Sequence, residues 1–159
     1  MRFDSIEKIN DLVAAFESRS LPKSEWTHLA HLTVGLHYCF GHPFGVAKNL
    51  MSDGIYWLND AHGTPNTETS GYHETLTVFW LNEISSMIER NPGDDIVQLA
   101  VRLGDELNDT KLALKHYSRE LLFSTEARRA FVPPDLDPEQ GTDPFEVPEL
   151  TTPALSPTG

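Results

Sequence analysis

Apolar positions recur at three- and four-residue steps along most of the chain, the spacing that places side chains on one face of an α-helix. Ile6, Ile9, Val13 and Phe16 form the first such stripe, over residues 5–17. Pro22 ends it, because a proline disfavours helical geometry in the residue before it. A second helix is predicted to begin near Ser24 or Thr27, both suitable N-caps. It carries Leu29, Leu32, Leu36 and Cys39 and stops at Gly41-His42-Pro43. A third starts close to Pro43, with Phe44, Ala47, Leu50, Met51, Trp57, Leu58 and Ala61 in helical period and Gly63 as its stop.

Residues 63–71 hold two glycines and a proline and lack a large apolar side chain, so they read as a loop. The fourth helix is expected over 72–89, with Leu76, Phe79, Trp80, Ile84, Met87 and Ile88 facing inward. Residues 91–95 are a break followed by a cap. Residues 96–107 and 110–123 read as two further helical segments, and Ser124 caps a last turn reaching Arg129. Sustained alternation of apolar and polar residues, the mark of a strand, is missing. The expected fold is all-α: a single-domain bundle of five or six helices over residues 1–132, joined by short loops.

From Pro133 the chemistry changes. That segment holds seven of the eleven prolines, six acidic residues and no Lys or Arg. It buries too little apolar surface to offset its conformational entropy, so residues 133–159 are expected to be a disordered acidic tail. The tail carries half of the formal net charge of −12. That charge argues against nucleic acid, whose phosphates require clustered Lys and Arg, and against an anionic membrane surface. A start without a secretory or transit pattern, and no stretch of about 20 apolar residues, lead to an expected cytoplasmic location. Cys39 is single and lies among apolar neighbours, which favours a packed thiol over a nucleophile.

The remaining chemistry is in the histidines, seven in all. His42 and His62 fall at helix ends, His116 in a charged helix, and His37 off the line through its neighbours. These four read as structural. Glu25, His28 and His31 are spaced by three, which on a helix puts them side by side. His73 opens the fourth helix on the face that continues through Leu76, Thr77 and Trp80. If the two helix starts share one end of the bundle, His28, His31 and His73 are candidate ligands for one divalent transition metal: Zn, Fe, Cu or Ni. Glu74, or Glu25, then becomes a candidate fourth ligand, general base or partner that orients an imidazole, and Tyr72 a candidate catalytic neighbour.

That arrangement predicts a metal-dependent enzyme acting on a small-molecule substrate, with no reaction type defined. Each histidine also fits as a satisfied core residue, and a metal-free ligand pocket fits the same residues. A non-catalytic small-ligand-binding protein, or a module that recruits a basic partner through its acidic tail, are the alternatives. The tryptophans Trp26, Trp57 and Trp80 and the tyrosines Tyr38, Tyr56 and Tyr72 serve either to line a pocket or to fill the core. The loop 63–71 is the expected rim of any pocket.

The segments Glu25-Trp26-Thr27-His28-Leu29-Ala30-His31-Leu32, Gly71-Tyr72-His73-Glu74-Thr75-Leu76-Thr77 and Tyr117-Ser118-Arg119-Glu120-Leu121-Leu122-Phe123-Ser124 resemble a family of short bacterial and fungal helical proteins. No activity is assigned to that family. The resemblance spans about residues 28–131. It implies a stand-alone helical protein and supplies no mechanism or catalytic residue.

Overall fold

A computed structural model describes residues 2–136. Its helices are α1 (Ile6–Glu17), α2 (His28–Gly41), α3 (Phe44–His62), α4 (Glu74–Arg90), α5 (Ile96–Arg102), α6 (Arg119–Leu122) and α7 (Thr125–Arg129). Among the described residues there is no strand, and the all-α bundle expected from the periodicity is present. Five of the helices have seven residues or more; α6 and α7 are single turns.

The element boundaries follow local chemistry. The Ser5 hydroxyl accepts from the Lys8 amide at the start of α1, and the Thr27 hydroxyl accepts from Ala30 at the start of α2. Each satisfies an amide that the first helical turn leaves unpaired. Gly63 adopts φ +74° and stops α3. Asp95 and Gln98 form a reciprocal capping box on α5, at 2.9 and 2.8 Å.

The second helix lies at the centre, packed by α1, α3, α4 and α5. Leu32, Thr33, Val34, Gly35 and Leu36 are buried in succession, so this helix has no solvated face along its middle. A side chain at Gly35 would place its Cβ 3.0 Å from Ile84 and 3.2 Å from Leu81. Glycine there lets α2 and α4 approach closely, and residues from the starts of both helices line one cavity. A smaller cluster of Phe79, Ala113, Tyr117 and Leu122 joins the C-terminal segment to α4.

Four expectations need correction. Residues 24 and 25 belong to a separate 3-10 turn, Lys23–Glu25, and α2 starts at His28; Glu25 is exposed and off the face of His28 and His31. The fourth helix starts at Glu74, so Tyr72 and His73 precede it.

Residues 110–123 do not form one helix. The Asp109 carboxylate draws in the Lys111 amide, a 3-10 turn follows at Leu112–Lys115, and the Ser118 hydroxyl caps a new turn. Side chains that bond nearby amides compete with a continuing helix, and here they win.

The boundary expected at residue 132 also moves. Asp135 accepts from both the amide and the hydroxyl of Ser118, and the Leu136 amide donates to the His116 carbonyl. Residues 133–136 therefore lie against the domain. The rest of the expected tail, from residue 137, lies outside the described residues. No described helix is long and apolar enough to cross a membrane.

Candidate functional site

The starts of α2 and α4 and the end of α3 surround a cavity of about 590 Å³. His28, His31 and His73 all line it, as the sequence reading required, and so do Tyr72, Trp26 and Trp80. His62, assigned a structural role from sequence, lines it as well.

Each imidazole is best defined by what its nitrogens already do. At His31, Nδ1 lies 2.9 Å from the Thr27 carbonyl oxygen. A carbonyl only accepts, so Nδ1 carries the proton and Nε2 keeps a lone pair on the cavity wall. The ring stacks on Trp26 at 3.6 Å between centroids, and Trp26 stacks in turn on Phe16 at 5.1 Å. Burial among these rings pushes the His31 pKa down to about 4, against a smaller raising effect from the Thr27 carbonyl.

His62 closes α3 and donates from Nε2 to the Leu21 carbonyl at 2.7 Å, which leaves Nδ1 as its lone pair. His28 sits edge-on to Trp80. Its Nε2 is buried with no hydrogen-bond partner among the described residues. Burial lowers the His28 pKa, and the Leu107 carbonyl and Asp109 oppose it more weakly. An unpaired buried nitrogen costs about 1–3 kcal/mol. Replacing His28 with Leu, of similar bulk, is therefore expected to raise the unfolding free energy by about 1 kcal/mol, read by urea denaturation. A loss of that size would show that Nε2 has a partner in solution or that the interaction with the Leu107 carbonyl outweighs its burial cost.

The third expected ligand is engaged on both sides. His73 is the N-cap of α4: its Nδ1 accepts from the Leu76 amide at 3.1 Å, and its Nε2 donates to the Leu122 carbonyl at 2.7 Å. Both nitrogens are used inside the fold, so His73 presents no lone pair to a metal. Burial lowers its pKa, as does nearby Arg128. Among the described residues, no three His, Cys, Asp or Glu side chains are placed to hold one metal ion.

The carboxylate expected to act as base is also committed. The Tyr72 hydroxyl donates to Glu74 at 2.6 Å, and Lys48 pairs with its other oxygen at 2.7 Å. Glu74 does not line the cavity. Burial, then the bond to Glu74, push the Tyr72 phenol well above its ordinary range. Tyr72 is thus held as a donor to Glu74 and contributes its ring to the cavity wall.

The segment from Gly71 to Thr77 latches the C-terminal residues onto the bundle. Arg128 donates to the Gly71 carbonyl, and Thr75 donates to the Ala130 carbonyl while accepting from the Val132 amide. Together with His73 and Leu122 these bonds explain most of that polar run. Glycine is needed at 71, where φ is +81° and a Cβ would stand 2.5 Å from the Pro65 carbonyl oxygen. The expected rim is present: Thr64 and Gly71 line the cavity, and Asn66 pins the loop by accepting from Asn59 and from the Tyr72 amide. Comparison with known protein families, with curated proteins and with solved structures found no match.

Proposed function

We propose that the protein binds a small organic molecule in the cavity between α2, α3 and α4. The observation that carries this reading is the wall itself, which is largely apolar and bears the free Nε2 of His31. Specific small-molecule sites have this composition, a mostly apolar enclosure of about 300–1,000 Å³ with a few placed polar groups.

Proton transfer is less well served. A general base works best with a pKa near the working pH, whereas His31 is held at about 4. It stays neutral and accepts a hydrogen bond. A transition metal in the same space would meet unpaired nitrogens of His28, His31 and His62 but none of His73, and no three metal-ligating side chains among the described residues are placed to hold one ion.

The test is a fragment screen by ligand-detected NMR on the full chain and on Leu76→Trp, which fills the cavity from α4. Fragments should bind the wild type and lose contact with the variant, while the far-UV circular dichroism stays unchanged. Binding that ignores the substitution would remove the cavity as the site. Micromolar or tighter Zn²⁺ or Ni²⁺ binding abolished by His31→Gln would restore the metal-dependent reading.

A further inference from the structure

Resting on the cavity as a small-molecule site, the geometry points to a ligand class: a neutral aromatic compound with a hydroxyl group, of the phenol or naphthol type. The lone pairs on the wall define the ligand's polar end. His31 and His62 each spend their only N–H on a backbone carbonyl, of Thr27 and Leu21, and so can only accept from a ligand.

The hydroxyl and side-chain amide donors beside them are engaged internally, whereas the indole N–H groups of Trp26 and Trp80 and the Nε2 of His28 make no hydrogen bond among the described residues. The Tyr72 hydroxyl goes to Glu74, the Thr77 hydroxyl to the His73 carbonyl, and the Asn59 amide to Asn66. A ligand that only accepts, such as an ether or ketone, leaves both imidazole lone pairs unpaired. One that donates finds two acceptors, on α2 and at the end of α3.

Charge narrows the class further. Among the described residues no Asp or Glu lines the cavity, so an ammonium entering it loses water without gaining a counter-ion there. An anion would face the imidazole lone pairs, and the only charged lining residue among those described is Lys23, which is exposed. A neutral donor carries neither cost. The rings of Trp26, Trp80 and Tyr72, with Leu32 and Leu76, favour a flat apolar body over a polyol. A phenolic O–H is also a stronger donor than an aliphatic alcohol, which suits a neutral imidazole acceptor.

The test is calorimetric titration of the full chain at pH 7.5 with four probes of nearly equal size: 2-naphthol, 2-methoxynaphthalene, 2-naphthoate and 2-naphthylmethylamine. Naphthol should bind about tenfold more tightly than its methyl ether, the effect of one hydrogen bond. His31→Gln and His62→Gln should each reduce that ratio while remaining folded by circular dichroism. The probe comparison stands on the wild type even if a variant fails to fold. Equal binding of naphthol and its ether would overturn the class and leave the cavity reading intact, as would tighter binding of the carboxylate or the amine. Failure of all four probes to bind would overturn the class; a blank fragment screen beside it would bring down the cavity reading too.

Discussion

Replacing His73 with Ala is expected to lower the unfolding free energy by about 2–4 kcal/mol and the melting temperature by roughly 10 °C. Two losses add. The Leu76 amide loses its cap at the first turn of α4, worth about 1 kcal/mol. The Leu122 carbonyl is left buried without the Nε2 donor that ties the C-terminal segment to α4, a further 1–3 kcal/mol or so. His73→Asn separates the terms: its amide oxygen can cap Leu76 but cannot span the distance to Leu122, so it should recover about 1 kcal/mol of the loss. Urea denaturation of the three proteins reads both effects. An Ala variant as stable as the wild type, with ligand or metal binding lost, would instead return His73 to the functional residues.

Most of the bundle was legible in the sequence because its information is local. The stripe through Ile9, Val13 and Phe16, the periodic face of Leu29, Leu32 and Leu36, and the stop at Gly63 each fix an element without outside help. The convergence of His28, His31 and His73 on one cavity was legible too, since the facing of two helix starts carries it.

What the sequence hid was the direction of the bonds. A histidine at an N-cap lies outside the usual set of Ser, Thr, Asp and Asn, so His73 read as a side chain inside the helix and free to act. Its partner, Leu122, is 49 residues away, and periodicity cannot report a carbonyl. His62 was missed for the same reason: nothing near it in sequence shows that the end of α3 returns to Leu21. Glu74 looked available because Lys48, its ion-pair partner, comes from another helix.

Acid should destabilise the protein within a defined window. In the unfolded chain a histidine titrates near 6.5. Burial lowers the folded-state pKa of His28, His31 and His73, to about 4 for His31. Above pH 6.5 both states are neutral and these groups have no effect. As the pH falls below 6.5 the unfolded chain takes up protons that the fold refuses, and stability drops until the folded pKa is reached. For His31 the gap of about 2.5 units corresponds to roughly 3 kcal/mol, lost between about pH 6.5 and 4.

His73 adds a structural consequence, because a proton on Nδ1 removes the acceptor for the Leu76 amide. Unfolding free energies at pH 7.5, 6, 5 and 4.5 should therefore fall steadily through the range where Asp and Glu are still largely ionised. His31→Gln, which cannot titrate, should flatten most of that slope. A wild type equally stable at pH 7.5 and 5 would mean that these imidazoles are as well solvated in the fold as outside it, and the apolar wall around His31 would lose its main electrostatic consequence.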